Sequence, residues 1–435
     1  MGVLIIFPYF FQQLLLMETP EANHMRIFDF MHAYQPFFTS EMPDWVIKNL
    51  EEVFLPLSRS LAAGKGTHTI QIQGWTLESW ANNPSTSEMF KELVSNINQA
   101  IANGNVEVGF SAYSHPILPL LSNNHVEMQI EEDYKTVLKY FGEPKVFFPP
   151  EGAIDRRVLN IVTDLHPECT VLIPDKCVSE DILSGFYKYK NSSIAVFPVL
   201  VKSIVMGASF SETPSLFVPP EVDWDDARKS MVDTNSIERL LTSLELKDAI
   251  IVRDMENGGS RVHLEEMGPR MKNIPSIVGS GFSDNLVSSS AKEFQMLPEK
   301  IGPASWEPLS DPNDPFPYWS PQGEYNAFLS WQQNEIIEDW LELIAFYDEI
   351  LEESREHWKE TSPCLISCFP WHIIMPPEAG GNIDFSVYVL EKGIAELFTK
   401  ALRNDKDKKR LNKILSRMRS NLEDMKRLHE SKIDL

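Results

Sequence analysis

Apolar runs alternate with helical patterns along the chain from Met25 to about residue 260. The runs have the composition of buried strands and in order read IFDF, THTIQIQG, NVEVGFSA, KVFFPPEG, TVLIPD and AIIVRDME. The segments between them place apolar residues three and four positions apart, and they read DWVIKNLEEVFLPLSRSLAAG, SEMFKELVSNINQAIANG, EMQIEEDYKTVLKYFG and TNSIERLLTSLELKD. This alternation predicts an α/β fold with a mainly parallel sheet, either a closed β/α barrel or a doubly wound sheet.

Two irregular stretches interrupt the alternation. Residues 180–232 are rich in proline, serine and aromatic residues and read as loops and short strands, while residues 260–325 are rich in glycine, proline and serine. Loops of this length inside a compact domain usually form lids or binding walls. Helical patterns return over residues 331–358 and again from about 384 to 430, so we expect a helical region after the sheet.

The charge pattern bears on the partners of the protein. The 435 residues include 63 acidic and 39 basic ones, which gives a net charge of −24. Such a surface repels phosphate backbones and anionic lipid, so we expect neither a nucleic acid nor a membrane partner. Residues 403–435 carry eleven Lys or Arg and six Asp or Glu. We expect this basic segment to pack against the acidic surface of the same chain.

The amino-terminal segment and the cysteines give an expectation for the cellular compartment of the protein. Residues 1–24 begin with an apolar run, but the run has no basic flank and no small-residue cleavage site. We interpret this segment as an apolar leader or a misassigned start, with a signal anchor as the alternative. The cysteines are too few for a disulfide scaffold and lack the spacing of a zinc site, so we expect buried thiols and a cytoplasmic protein. They are Cys169, Cys177, Cys364 and Cys368.

Polar and charged side chains lie at five of the predicted strands. Loops that follow parallel strands gather over one face of the sheet, so these residues are candidates for a common site. They are Asp29, His32, Tyr34 and Gln35 at the first strand, Trp75, Glu78 and Trp80 after the second, Glu107, Tyr113 and His115 at the third, Glu151 after the fourth, and Asp254 with Glu256 after the last.

Glu151 and Asp254 are the carboxylates that best suit bond chemistry. The prolines at 149–150 stop an apolar strand, Glu151 follows directly, and Gly152 leaves the space above it free. Cleavage of a glycosidic bond requires two carboxyl groups over one cleft, one protonated and one ionised. The competing interpretation is that each is a solvated group or an ion-pair partner. Four tryptophans would suit the apolar faces of sugar rings, although tryptophans are more often packing residues: Trp75, Trp80, Trp319 and Trp371.

Together these segments resemble family 57 of the glycoside hydrolases, over about residues 25–400. The first element of that family, His-Gln-Pro, corresponds to His32-Ala33-Tyr34-Gln35-Pro36 with two additional residues. Its second corresponds to Gly104-Asn105-Val106-Glu107 and His115-Pro116-Ile117-Leu118-Pro119-Leu120. Its third corresponds to Pro149-Pro150-Glu151 and its fourth to Asp254-Met255-Glu256-Asn257-Gly258-Gly259. Its fifth is loosely similar to Ser367-Cys368-Phe369-Pro370-Trp371-His372.

The resemblance implies a (β/α)7-type barrel of mainly parallel strands, followed by a C-terminal helical domain. We therefore expect a catalytic barrel over 25–285, a helical domain that completes the cleft over 286–402, and a basic helix or tail over 403–435. The implied activity is that of a retaining glycoside hydrolase or transglycosylase that acts on α-linked glucan or oligosaccharide by double displacement. Glu151 would be the nucleophile and Asp254 the acid/base, with no metal ion and no cofactor. The residues expected to bind the substrate are His32, Gln35, Trp75, Glu107, His115, Glu256 and Trp371.

Several alternatives stay open at this point. A water acceptor gives hydrolysis and a sugar acceptor gives transglycosylation, and the sequence does not decide between them. His115 is equally well interpreted as a structural histidine that anchors the proline-rich turn. Asp29, His32 and His115 could instead hold a divalent ion in a metal-dependent carbohydrate deacetylase. The first, fourth and fifth motifs depart from the family pattern, the fourth at Gly258 and at Ser260-Arg261, where the family usually has a Phe and then His or Trp. These departures also fit a degenerate family member that binds glycans without turnover.

Overall fold

The structure is a computed structural model, and it describes most but not all of the chain. The described residues are 26–178, 184–199, 248–255, 285–290, 295–297, 301–353, 356–375 and 381–433, apart from 36, 39–41, 65 and 308. Several predictions therefore lie outside the described residues: the apolar leader over 1–24, the helix predicted to begin at Thr234, and the loop FVPPEVDW.

Nine strands form one sheet in the described part of the chain. Their bounds are β1 Arg26–Ala33, β2 His68–Ile72, β3 Val106–Phe110, β4 Val146–Phe147, β5 Thr170–Pro174, β6 Gly185–Tyr189, β7 Ser192–Phe197, β8 Asp248–Asp254 and β9 Gln295–Met296. The order is β8-β1-β2-β3-β4-β5-β7-β6-β9. The first seven strands in that order are parallel, and β6 forms an antiparallel hairpin with β7. Because β8 also lies beside β7 and β6, the sheet curls into a nearly closed barrel, which confirms the predicted fold class.

Helices connect the parallel strands and then make up most of the carboxyl-terminal region. Those of the barrel are α1 Asp44–Asn49, α2 Leu55–Ala62, α3 Gly74–Asn82, α4 Ser87–Ala102, α5 Asn123–Phe141 and α6 Arg156–Leu165, with a π-helical Leu50–Phe54 between the first two. The later helices are α7 Gly323–Asn326, α8 Trp331–Glu353, α9 Trp358–Thr361, α10 Cys368–Ile374, α11 Ile383–Tyr388, α12 Glu396–Ala401 and α13 Asp405–Ile433, with a π-helical Val389–Ala395 before α12. The predicted helix over 331–358 thus ends at Glu353, and a second short helix follows.

Alternate side chains of each strand face the inside and the outside of the barrel, as the two-residue period of a strand requires. The inside is filled by large apolar residues, among them Phe28, Phe30, Phe148, Leu172, Phe197, Ile250 and Val252. The outside packs against the helices through residues such as Met31, Ile70, Val108, Val171 and Val196. His32 is in register with Gln71 on one side and Asp254 on the other. These three residues therefore share the inward face at the carboxyl ends of their strands.

An ion cluster lies on the outward face of β1. Arg253 Nε and Nη2 donate to the two carboxylate oxygens of Asp29 at 2.8 and 2.7 Å, and His68 Nδ1 lies 2.7 Å from one of them. Burial by itself raises the pKa of Asp29, but the Arg253 guanidinium and the His68 ring outweigh it and hold that pKa well below its usual range. Asp29 is thus an ionised structural residue that joins β1 to its two neighbouring strands.

The basic carboxyl-terminal helix α13 packs against acidic residues of the same chain, as the charge pattern predicted. Arg417 donates to Asp339 and Glu342, and Arg410 to Glu349, all three on α8. The same helix contributes apolar residues to the main core, namely Leu411, Ile414, Leu415, Met418 and Leu422.

The four cysteines are buried, and none of them forms a disulfide. Among the described helices, none has the length and apolar character needed to cross a membrane.

Candidate active site

Glu151 follows the fourth strand on a tight turn. β4 ends at Phe147, and Pro150–Gly152 form a 3₁₀ turn in which Glu151 has φ 56° and Gly152 has φ 59°. A side chain at Gly152 would approach Trp306, because an added Cβ would lie 2.9 Å from the Trp306 Cβ. The Trp306 N–H also donates to the Glu151 carbonyl at 3.0 Å. The turn and the segment at Trp306 therefore fix the direction in which the Glu151 side chain points.

Both carboxylate oxygens of Glu151 accept hydrogen bonds. Ser367 Oγ lies 2.7 Å from Oε1, and Trp306 Nε1 donates to Oε2 at 3.0 Å. His115 Nδ1 lies 3.6 Å from Oε1. The Glu151 side chain retains 14% of its exposure. Hydrogen bonds from neutral donors favour the ionised form of a carboxyl group, and a small part of the side chain stays accessible to solvent.

His115 lies behind Glu151 in a buried, strained position. It has φ 61° and is 2% exposed. Its ring stacks on Tyr34 with the centroids 4.3 Å apart and the planes 7° from parallel. Its Nδ1 lies 2.8 Å from Ser367 Oγ and its Nε2 lies 3.0 Å from His32 Nε2. His115 thus connects the first predicted motif, through His32, to the proposed nucleophile.

His32 lies between Gln71 of β2 and Asp254 of β8 in the sheet. Its Nδ1 lies 2.5 Å from Gln71 Oε1, and its strand position is in register with Asp254 of β8. Since neighbouring parallel strands are about 5 Å apart, Asp254 lies on the same rim as His32. The structure therefore gathers His32, His115, Glu151 and Asp254 at the carboxyl end of the barrel.

The other predicted binding residues lie in different surroundings. Gln35 is fully buried, and its amide bonds to Asn49 and to the Tyr34 carbonyl. Trp75 is half-buried and donates from its indole N–H to the Phe37 carbonyl. Trp371 is half-buried on α10, the helix that begins directly after Ser367. Glu256 lies outside the described residues.

Glu107 is not brought together with Glu151. It is the second residue of β3, near the amino end of the barrel, whereas Glu151 follows the carboxyl end of β4. Thr69 Oγ1 donates to Glu107 Oε1 at 2.7 Å, the Ser288 N–H donates to the same oxygen at 3.0 Å, and the Ser288 hydroxyl bonds to Oε2. Glu107 therefore holds the segment at 285–290 against the amino end of the barrel.

The three residues that the deacetylase alternative would use as metal ligands do not lie together. His32 and His115 are adjacent inside the barrel, but Asp29 lies on the outward face of β1, where Arg253 and His68 occupy its carboxylate. Within the described residues, no group of three or more His, Cys, Asp or Glu side chains is arranged to hold a metal ion. The geometry thus disfavours a shared metal site built on these three residues.

A buried carboxyl group organises the loops beside the site. Asp133 of α5 accepts the backbone N–H groups of Gly74 and Ser111, both at 2.5 Å. These two residues follow β2 and β3, so Asp133 holds the ends of both strands. Burial raises the pKa of Asp133 to about 7, against the lowering effect of the two backbone N–H groups. Nearby, burial and the Glu78 carboxylate raise the pKa of Tyr113 above its usual range.

Three residues of the site were missed by sequence reasoning. Ser367 was quoted only as part of the loosely matching fifth motif, and nothing distinguished its hydroxyl from other serines. Trp306 lies in the glycine- and proline-rich stretch, where no periodic pattern predicts its position. Gln71 faces inward from β2, and the alternation of that strand was the one available signal.

These observations define a class: a seven-stranded parallel β/α barrel with a helical carboxyl-terminal region and a carboxylate presented at the carboxyl end of its strands. Residues 10–202 match the sequence model of a known family, Glycosyl hydrolase family 57. The resemblance inferred from the motifs is therefore confirmed by this match. A search of curated protein sequences finds no significant match.

Solved structures share this fold at low sequence identity. A GH57-type branching enzyme from Pyrococcus horikoshii has a TM-score of 0.58 at 13% identity, over 91% of this chain and 94% of that one. A 4-alpha-glucanotransferase from Thermococcus litoralis has a TM-score of 0.56 at 12% identity, over 87% and 59%. An alpha-amylase from Thermotoga maritima has a TM-score of 0.54 at 11% identity, over 90% and 97%. At these identities the likeness concerns the fold.

Proposed function

We propose that the protein is a retaining glycoside hydrolase or transglycosylase that acts on α-linked glucan or oligosaccharide. The observation that carries the proposal is the environment of Glu151. Two neutral donors, the Ser367 hydroxyl and the Trp306 indole, hold its carboxylate at the carboxyl end of the barrel strands. The family match and the names of the proteins with the same fold support the substrate class.

In the proposed reaction, Glu151 attacks the anomeric carbon and Asp254 protonates the departing oxygen. The glycosyl-enzyme ester that forms is then opened by water or by a sugar hydroxyl, which Asp254 deprotonates. The nucleophile must be ionised in the first step, and the hydrogen bonds to both oxygens of Glu151 favour that state. Asp254 must donate a proton in the first step and accept one in the second. Its half-buried position at the end of β8 suits this proton exchange.

The first test is product analysis of the purified protein on maltooligosaccharides, starch and α-galactosides. We expect turnover of the α-glucans, with longer products if a sugar is the acceptor and only shorter ones if it is water. Retention of configuration at the anomeric carbon, followed by NMR, is expected in either case. Inverted products would contradict the double-displacement mechanism, and the absence of turnover on all α-linked substrates would favour a glycan-binding protein.

The second test separates the roles of the two carboxylates. Glu151→Gln and Asp254→Asn should each lower kcat by about 10³-fold or more while the far-UV circular dichroism spectrum is retained. Azide should restore part of the activity of Asp254→Ala and give a glycosyl azide of retained configuration, because azide attacks the ester without a general base. Near wild-type turnover in either carboxamide variant would show that the residue has another role.

A further inference from the structure

The hydroxyl of Ser367 joins Glu151 to a buried pair of histidines. Ser367 Oγ lies 2.7 Å from Glu151 Oε1 and 2.8 Å from His115 Nδ1. His115 Nε2 in turn lies 3.0 Å from His32 Nε2. Ser367 is fully buried, and the two rings are 2% and 3% exposed. The partly exposed Glu151 carboxylate is thus connected to groups that are almost fully buried.

Hydrogen bonds to its main chain hold Ser367 in place. The Ser367 N–H donates to the His115 carbonyl at 3.1 Å, and the Trp319 indole N–H donates to the Ser367 carbonyl at 3.0 Å. With both main-chain groups engaged, the hydroxyl is already positioned between Glu151 and His115. Such pre-organisation is what a group that orients a catalytic side chain needs.

The number of available protons decides which group donates each hydrogen bond between Glu151, Ser367 and His115. The Ser367 hydroxyl has one proton, and when Glu151 is ionised that proton is donated to its carboxylate. His115 must then carry a proton on Nδ1 and donate it to Ser367 Oγ. When Glu151 is protonated, the same bonds can reverse, so that Ser367 donates to an unprotonated Nδ1 of His115. The tautomer of His115 is therefore coupled to the charge on Glu151 through one serine.

We propose that Ser367 is a positioning residue, supplied by the carboxyl-terminal helical region, that orients the Glu151 carboxylate and links its charge to the His115–His32 pair. This inference rests on the proposed role of Glu151 as the nucleophile. A hydrogen bond to a charged group contributes more than one between neutral groups. Loss of the hydroxyl should therefore slow attack on the anomeric carbon more than it weakens substrate binding.

The kinetic test compares Ser367→Ala with a matched control in the same region. Ser362→Ala removes a hydroxyl from a serine that is equally buried, and that hydroxyl has no hydrogen-bond partner within the described structure. We expect Ser367→Ala to lower kcat on a maltooligosaccharide by about 10- to 100-fold, with KM changed by about twofold or less. Ser362→Ala should stay within about twofold of the wild type in both constants.

A spectroscopic test gives a readout that does not depend on turnover. With ¹⁵N-labelled histidine, NMR of the wild type and of Ser362→Ala should show the same slowly exchanging imidazole N–H signal from His115 Nδ1. Ser367→Ala should lose or shift that signal, because its acceptor is gone. Equal kcat in the two serine variants, together with an unchanged His115 signal, would overturn the inference.

The two proposals can fail separately. If Glu151→Gln is inactive but Ser367→Ala behaves like Ser362→Ala, the positioning role is wrong and the nucleophile stands. If Glu151→Gln keeps wild-type turnover, the nucleophile is wrong, and the NMR comparison still decides whether Ser367 links the carboxylate to His115.

Discussion

Glu151 and His115 both adopt the left-handed backbone conformation, which costs about 1 kcal/mol or more for a residue with a side chain. In the described chain, Lys190 at an exposed hairpin turn is the other non-glycine residue of this kind. Strain of this sort persists where the surroundings impose it. Here Trp306 holds the turn of Glu151, and Ser367 bonds to the main chain of His115. The strained residues coincide with the proposed catalytic cluster.

The turn at Gly152 gives a prediction at the same scale. Gly152→Ala places a Cβ 2.9 Å from the Trp306 Cβ at a residue with φ 59°. We expect the free energy of unfolding to fall by about 2–4 kcal/mol. We also expect kcat to fall by about fivefold or more, because a displaced Trp306 no longer donates to Glu151. Urea unfolding and steady-state kinetics measure the two effects.

Gly104→Ala is the matched control for this change. Gly104 also has positive φ, at 79°, but an added Cβ would have no atom within 4 Å. We expect Gly104→Ala to lower the free energy of unfolding by about 1 kcal/mol and to leave kcat unchanged. If Gly152→Ala costs no more than Gly104→Ala, then the contact with Trp306 does not constrain the turn.

At the scale of elements, helix α5 controls where two strand ends lie. Asp133 accepts hydrogen bonds from the N–H groups that follow β2 and β3, and Gly74 leaves room for it, since an added Cβ would lie 2.8 Å from the Asp133 carboxylate. The loop after β3 contains His115. One buried side chain on a helix thus helps to determine the position of the histidine cluster.

The raised pKa of Asp133 predicts a pH dependence of stability. Its pKa is about 7 in the folded protein, against 3.8 for an isolated aspartic acid side chain. The folded state therefore binds the proton more tightly, and this group lowers the free energy of unfolding as the pH rises from about 4 to 7. Between pH 5 and pH 8 the free energy of unfolding should fall by about 2.5 kcal/mol, and this fall should be missing from Asp133→Asn.

The measurement is urea unfolding at both pH values for the wild type, Asp133→Asn and the exposed control Asp164→Asn. At pH 5 the amide variant should be less stable than the wild type by about 1–3 kcal/mol, because one backbone N–H loses its acceptor. Asp164 is 68% exposed, so its variant should follow the wild type at both pH values. An equal pH slope in all three proteins would contradict the assignment to Asp133.

At the scale of the whole molecule, the site is shared by two parts of the chain. Glu151, His115 and His32 come from the barrel, while Ser367 and Trp306 come from the segments after it. The carboxyl-terminal helix α13 secures the later part by packing on α8. Its Arg417 donates to Asp339, whose side chain is 6% exposed.

Removal of this ion pair should therefore destabilise the molecule. Arg417→Ala leaves the Asp339 charge buried and without its guanidinium, which we expect to cost about 2–4 kcal/mol in thermal or urea unfolding. Arg427→Ala is the control, because Arg427 is 71% exposed and pairs with Asp424 on the same helix, so its loss should cost about 0.5 kcal/mol or less. Equal stabilities of the two variants would show that α13 is held by its apolar face alone.

The fold was largely predictable from the sequence because the parallel strands are buried and give continuous apolar runs. β2, β3, β4 and β5 lie within predicted runs, and β1 and β8 overlap theirs. The carboxylates after strands were predictable for a related reason, since prolines and glycines mark the strand end at Glu151. Side-chain contacts between distant segments were not predictable. Glu107 and Gln35 carry polar groups suited to sugars, yet both are used to join parts of the protein.

The motifs carried the resemblance to family 57, and that resemblance implied the barrel. The sequence by itself also determined the strand–helix alternation of an α/β fold, the helical region that follows it and the positions of Glu151 and Asp254 at strand ends. These follow from the local pattern of apolar and polar residues, which a single strand or helix already expresses. Only the tertiary structure decided that Ser367 lies between Glu151 and His115, 216 and 252 positions away along the chain. No local pattern encodes such a contact, because it depends on how the helical region packs on the end of the barrel.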